Sequence, residues 1–206
     1  MTDQSAKIIG EAYDKMAGVY ATEALADDPG KESRDRFVAL LPAGARVLDV
    51  GCGAGQDSAG FDLAGLKVYG LDPSVRMIEM AQALVPSGKF EPAGFLQADL
   101  AAESFDGVWC SRVFQHVPLA EQTVFIQRLR YVLKPGGRLY LSVKLNGTEL
   151  DDETWDMVTA GTKTLVKTLG SASWPAILLD NGFKIIELRD WSDKNWVEAY
   201  ATKLAQ

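Results

Sequence analysis

The stretch "VLDVGCGAGQDS", residues 47–58, decides the reading of this chain. "RVLDV" is the apolar run of a buried strand, glycines follow at positions 51, 53 and 55, and "QDSAGFDLAG" reads as a helix closed by Gly65. A strand that passes into a helix through a bare backbone offers its N–H groups to an anionic or polar ligand. The pattern is GxGxG, with Gln56 standing where a dinucleotide fingerprint has its third glycine. Asp49, just ahead of the loop, suits a cation and would meet a pyrophosphate badly. The ligand expected here carries positive charge.

The same rhythm continues outward. "KVYGLD" is a second strand and "PSVRMIEMAQALV" a helix burying Met77, Ile78, Ala81 and Leu84. "GFLQAD" is expected as the third strand, "DGVWC" as the fourth, "LAEQTVFIQRLRYVLK" as a long helix stopped by "PGG", and "RLYLSVK" as the fifth strand. Strands alternating with helices imply a doubly wound α/β fold: a parallel sheet with right-handed crossovers and helices on both faces. "LAAESF" is too short for a crossover helix, so one covering element is reduced there. Toward the end, "SWPAILLDNGF" is a helix, and "KIIELRDW" and "WVEAYATKL", joined by "SDKN", can pair only as an antiparallel hairpin.

Ahead of the core, Ile9, Ala12, Tyr13, Met16 and Tyr20 form the stripe of an amphipathic helix over residues 6–26. Ser33 is the expected N-cap of a second helix carrying Phe37, Leu40 and Leu41. Residues 146–170 fall outside the rhythm and are expected to be partly helical, over the carboxyl ends of the strands where open α/β sheets bind ligands. The whole chain reads as one domain: a helical lid at 1–44, a binding core at 45–144, a substrate-side segment at 145–182 and a closing hairpin at 183–206.

The chain has 206 residues and a formal charge of −7, which gives no electrostatic footprint for nucleic acid or anionic lipid. No apolar run approaches the roughly 20 residues of a membrane span, and the polar N-terminus lacks the layout of a secretory signal. A cytoplasmic protein with a small-molecule partner is expected. Two cysteines, Cys52 and Cys110, make no disulfide framework, and no His and Cys cluster has metal-ligand spacing.

Two further acids end strands. Asp72 lies roughly 20 residues past the glycine loop, where an acid accepts from ribose hydroxyls; in "DPS" it is equally an N-cap. Asp99, in "LQADL", is placed beside an adenine or is an ordinary loop acid. Three acids at three strand ends suggest a nucleoside joined to a cationic, amino-acid-like group.

"VLDVGCGAGQDS", "VYGLDPSVRMIEMA", "FLQADL", "SFDGVWCSRVFQHVP" and "LKPGGRLYLSV" together resemble the consecutive motifs of class I S-adenosylmethionine-dependent methyltransferases, in the group that includes ubiquinone- and menaquinone-type enzymes. The resemblance implies a seven-stranded sheet of order 3-2-1-4-5-7-6 with strand seven antiparallel. It implies S-adenosylmethionine as donor, with Asp49, Gly51, Gly53 and Gly55 near its methionine half, Asp72 on the ribose, Asp99 and Leu100 at the adenine, and Met77 on the adenine face. Tyr13 and Tyr20 lie where related enzymes fold a helix over the cofactor; as bare sequence features they are packing residues.

Methyl transfer from a sulfonium needs an aligned, electron-rich acceptor and little else, so positioning and desolvation carry most of the acceleration. His116 follows the fourth strand and is either a general base or a structural residue. Arg112 in the same loop faces a substrate carboxylate, the cofactor or solvent. Trp155 and Trp174 wall an acceptor pocket or fill core. There is no NPPY-like segment after the fourth strand and no Pro-Cys nucleophile, which disfavours nucleobase methylation. Two other classes stay open: a dinucleotide-dependent oxidoreductase, and a cofactor-binding subunit without catalysis.

Overall fold

The computed structural model describes residues 3–26, 28, 30–144, 158–159, 162–163, 174–191 and 196–205. Helix α1 (Asp3–Ala26) and helix α2 (Lys31–Ala39) precede the sheet. Strand β1 (Arg46–Val50), helix α3 (Gln56–Leu63), strand β2 (Lys67–Asp72), helix α4 (Val75–Leu84) and strand β3 (Lys89–Pro92) form the first half. Strand β4 (Phe105–Cys110), a 3-10 turn (Phe114–His116), helix α5 (Leu119–Val132) and strand β5 (Leu133–Lys144) follow. A small antiparallel ladder joins β6 (Val158–Thr159) to β7 (Thr162–Lys163). Helix α6 (Trp174–Asp180) and strands β8 (Phe183–Trp191) and β9 (Trp196–Lys203) close the chain.

The seven-stranded sheet has the order β3-β2-β1-β4-β5-β9-β8. Strands β1 to β5 are parallel, and β9, the expected seventh strand, runs antiparallel between β5 and β8. Alternation along each strand sends side chains to two different cores. Leu48, Val50, Val108, Cys110, Leu139 and Leu141 join Phe125 and Leu129 of α5 and Leu178 of α6 on one face. Val47, Val68, Trp109, Tyr140 and Tyr200 meet Phe37 of α2 and Phe61 of α3 on the other. There Trp109 and Tyr140 stack with centroids 3.7 Å apart and planes 11° apart, flanked by Phe37 and Phe61.

Five sequence expectations are corrected. The third strand is "KFEP", not "GFLQAD": Tyr69 pairs with Lys89 and Asp72 with Pro92. Residues of "GFLQAD" instead fold into a turn with the amides of Gln97 and Ala98 on the Gly94 carbonyl. Phe95, Ala98 and Leu100 then fill the face that a crossover helix would cover, as the shortness of "LAAESF" requires. Ser33 is not a cap, since α2 starts at Lys31 with Gly30 at its N-cap and the buried Ser33 hydroxyl donates to Glu198 at 2.5 Å. Leu40 and Leu41 lie past the end of that helix, partly buried against the core that Phe37 fills.

"PGG" does not stop α5, which ends at Val132; the Pro135–Gly137 stretch sits in the irregularity between the Leu133 and Arg138 pairings of β5. Leu84 stays 42% exposed, so α4 buries Met77, Ile78 and Ala81 alone of the expected set. In the stretch 146–170, the described residues are the β6–β7 ladder, which lies against α1; the partly helical expectation otherwise falls outside the described residues, as do Trp155, the side chains of Tyr20 and Trp174, and the "SDKN" loop. Among the described residues no helix is long and apolar enough to cross a membrane.

Trp109 holds one core together by area and by a hydrogen bond, its indole N–H donating to Asp57 at 2.8 Å. Trp109→Ala should cost about 3–5 kcal/mol of unfolding free energy, the range for emptying a large aromatic site, read as a lowered urea midpoint at unchanged slope.

Candidate functional site

The carboxyl ends of β1, β2 and β4 converge, and the loop after β1 is built for close approach. Gly51, Gly53 and Gly55 have φ of 69°, 51° and 91°, the left-handed region that L side chains resist. A Cβ on Gly51 would collide with Cγ2 of Val113 in the loop after β4, and one on Gly55 would lie 2.9 Å from Cα of Ala81 in α4. The amides of Gly51 and Cys52 both donate to the Leu71 carbonyl, which fastens the loop to the end of β2.

Asp72 fastens it a second time. One carboxylate oxygen accepts from the Gly53 amide at 3.1 Å, and the other accepts from the Ser74 amide at 2.8 Å. Ser74, not Asp72, is the N-cap of α4, its hydroxyl accepting from the Met77 amide at 3.1 Å. Burial pushes the Asp72 carboxyl up to about 6 from 3.8, against the pull of those two amides, and Asp14 adds to the rise.

Asp49 is also buried, its carboxylate accepting from the Ser58 hydroxyl of α3 at 2.7 Å. Burial first, and then the charge of Asp57, raise it well above the usual carboxylate range. Asp57 is itself held by Arg34 at 2.8 Å, and Arg34 also reaches Asp28 at 2.5 Å. The more distant Arg34 only partly offsets that rise. At the start of α3, the buried side-chain amide nitrogen of Gln56 has no hydrogen-bond partner among the described residues.

Helix α1 lies across these loops. Tyr13, Ala17, Ala54 of the glycine loop, and Met77 of α4 form one apolar cluster; Ala6, Ile9, Tyr13 and Leu96 form another. Met77, 1% exposed, is therefore in the wall next to the loop. The loop after β4 brings in His116, 6% exposed, whose ring meets Tyr13 edge-on with centroids 6.1 Å apart and Nε2 at 3.4 Å from the Tyr13 hydroxyl. Arg112 has φ of 59°, a strained conformation for a residue with a Cβ, held by its amide donating to Ser142 Oγ at 2.7 Å and its carbonyl accepting from Gln115 Nε2 at 2.5 Å.

Of the sequence-derived candidates, Asp49, Gly51, Gly53, Gly55, Asp72, Met77, Tyr13 and His116 come together. Arg112 borders them. Asp99 is exposed in the loop beyond β3, seven residues past the strand it was expected to close, and the Leu100 side chain is spent in the core under α5. Ser58, Ser74, Asp14 and Gly10 were missed. Ser58 and Ser74 sit at helix starts that the sequence marks, whereas Asp14 and Gly10 act only through the docking of α1.

Residues 48–141 match the family model of the methyltransferase domain. A ubiquinone biosynthesis O-methyltransferase of Xanthomonas axonopodis pv. citri is 40% identical over 114 residues, covering 53% of this chain and 46% of that protein. The chain thus spans about half the length of that relative. Among solved structures, the 1,6-didemethyltoxoflavin-N1-methyltransferase of Burkholderia thailandensis, crystallised with 1,6-didemethyltoxoflavin and S-adenosylhomocysteine, superposes with a TM-score of 0.80 at 18% identity over 100% of this chain and 91% of that one. The [4+2]-cyclase SpnF also superposes at 0.80, with 16% identity over 98% and 97% of the two chains. Residues 48–141 thus match the methyltransferase-domain family, and the fold around them, with its sheet order and glycine loop, is similar to that of S-adenosylmethionine-dependent methyltransferases.

Proposed function

We propose that this chain binds S-adenosylmethionine between the glycine loop and α1 and transfers its methyl group to an oxygen or nitrogen of a small organic acceptor. The observation that carries the reading is the pair of buried carboxylates, Asp49 and Asp72, on either side of a loop whose glycines leave the backbone bare. Both are pushed up by burial, and both are relieved by a ligand that brings a positive charge or hydroxyl donors. The Xanthomonas relative's O-methyltransferase activity and the S-adenosylhomocysteine in the Burkholderia enzyme support the same donor and acceptor class.

The donor, when bound, supplies a methyl group already activated by its sulfonium charge. The chain's own residues then bind and align. Asp72 would accept from vicinal ribose hydroxyls while keeping its two backbone donors, since a carboxylate has about four acceptor positions. Gly51 and Gly53 would leave the main chain bare for the methionine half, and Asp49 would attract its positive charge. Met77 and Tyr13 would exclude water. His116 would take the proton that the acceptor oxygen or nitrogen gives up as the methyl–sulfur bond breaks to leave a neutral thioether, and Arg112 would set the edge of the acceptor space. A second reading, binding without methyl transfer, draws on the fold shared with a [4+2]-cyclase.

Calorimetric titration with S-adenosylmethionine, S-adenosylhomocysteine and NAD tests the donor. Binding of the first two and not the third supports it, and no binding of either sulfur ligand overturns it. An acceptor screen on the loaded protein then separates transfer from binding alone. Loading should also release protons between about pH 6 and 8, because a cationic ligand lowers both raised carboxyls; titrations in buffers of differing ionisation heat read the number released.

Asp72 has a stability signature as well. Its folded pKa of about 6 lies above the 3.8 of the free side chain, so its contribution is full below about pH 4 and is lost as the pH rises through 6. The stability of the wild-type protein relative to Asp72→Asn should therefore be greater at pH 4.5 than at pH 7.5, by roughly 2 kcal/mol, as measured by urea unfolding at the two pH values. The same variant should bind S-adenosylhomocysteine at least about tenfold more weakly, the loss expected for hydrogen bonds to a charged acceptor.

A further inference from the structure

Helix α1 touches every loop that carries the site. Ala6 and Ile9 pack with Leu96 after β3, Ala17 packs with Ala54 of the glycine loop and with Met77 of α4, and Tyr13 reaches His116 after β4. An isolated amphipathic helix is marginal in water, so something must fix where this one lies.

Two residues one turn apart do so. A glycine inside a helix costs about 1 kcal/mol relative to alanine, which makes Gly10 conspicuous. A Cβ there would collide with the carbonyl oxygen of Pro73, so α1 rests its bare backbone on the turn between β2 and α4. Four residues on, and hence on the same face, the Asp14 carboxylate accepts from the Ser74 hydroxyl at 2.5 Å and from the Arg76 amide at 3.1 Å. A carboxylate from α1 thereby completes the cap of α4, where unpaired amides and the helix dipole favour negative charge. Ser74 lies two residues from Asp72 and donates its amide to it.

Tyr13 immediately precedes Asp14 and is turned about 100° around the helix. With Asp14 on α4, the Tyr13 hydroxyl comes to 3.4 Å from Nε2 of His116. A hydrogen bond at one ring nitrogen settles which nitrogen carries the proton. We infer that Gly10 and Asp14 key α1 onto the amino end of α4, and that this keying sets Tyr13 against His116. Gly10, Asp14 and Tyr13 are then positioning residues for the imidazole. The inference rests on the proposed function for its catalytic meaning, and on the geometry alone for the keying.

His116 is the single histidine of the chain, so its ring nitrogens give one unambiguous set of NMR signals. In long-range nitrogen–proton spectra of the neutral imidazole, Tyr13→Phe should shift the tautomer ratio roughly fivefold, the worth of one ordinary hydrogen bond. Asp14→Ala and Gly10→Ala should move the ratio in the same direction with Tyr13 intact, and Asp14→Asn, which keeps an acceptor oxygen, should restore it. Lys15→Ala, at an exposed position of the same helix, should leave it unchanged. Asp14→Ala should also weaken S-adenosylhomocysteine roughly fivefold, the cost of a lost cap. A ratio that Asp14→Ala and Gly10→Ala both leave at the wild-type value overturns the keying, and one that Tyr13→Phe leaves unchanged overturns the part given to Tyr13. Should Asp14→Ala fail to fold, Gly10→Ala and Tyr13→Phe decide alone. Wild-type protein that binds no sulfur ligand would sink the proposed function, while the tautomer ratio would still decide the keying.

Discussion

The structure turns on the Asp72 carboxylate, shared between the Gly53 amide of one loop and the Ser74 amide of another. It adds to the bonds from the Gly51 and Cys52 amides to the Leu71 carbonyl and to the packing of Ala54 on Met77, so that the glycine loop after β1 and the start of α4 form one rim, and Asp14 extends that rim to α1 through the same Ser74. The acid is buried at a cost, since its proton is held more tightly than in water. Rim geometry and the raised carboxyl thus depend on the same side chain.

Asp49 repeats the tension one strand over, and the rest of the fold offsets it. The face packed by α2 and α3 holds Phe37, Phe61, Trp109 and Tyr140, with Phe37 and Trp109 each touching the other three. Asp57 links this face to the site: it accepts from the Trp109 indole and pairs with Arg34, yet its charge raises Asp49. The guanidinium of Arg34 in turn occupies the space that a Cβ on Gly60 would take. Packing energy in this layer supports two poorly solvated carboxylates.

Periodicity made β1, β2, β4, the closing hairpin and the parallel order legible, because each of those strands is a run of apolar residues bounded by a turn. It failed at β3, where "KFEP" lies at an edge with little apolar character and "GFLQAD" has more of it; the hydrophobic residues there serve the core from a loop. The glycine loop and its acids were legible because their chemistry is local in sequence. Asp14 and Gly10 were not, since a carboxylate capping another helix and a glycine spared for another segment's carbonyl show their purpose only after tertiary docking. The pairing of Tyr13 with His116 spans 103 positions and has no sequence signal at all.

A fold shared at similar TM-scores by an N-methyltransferase and a [4+2]-cyclase separates scaffold from reaction. The sheet order is common to both without dictating what lies across from the glycine loop. What varies must be the groups that overlook the rim, and in this chain the described ones are Tyr13 on α1 and Arg112 and His116 after β4. Helix α1 is fixed there by a carboxylate and a backbone contact as well as by apolar area: burial is tolerant of sliding, whereas a cap and a missing Cβ admit one register. On the β4 side, the left-handed backbone of Arg112 is likewise held, by Ser142 and Gln115. If methyl transfer is the reaction, as proposed, an in-line displacement would ask these groups for alignment and not for a covalent step.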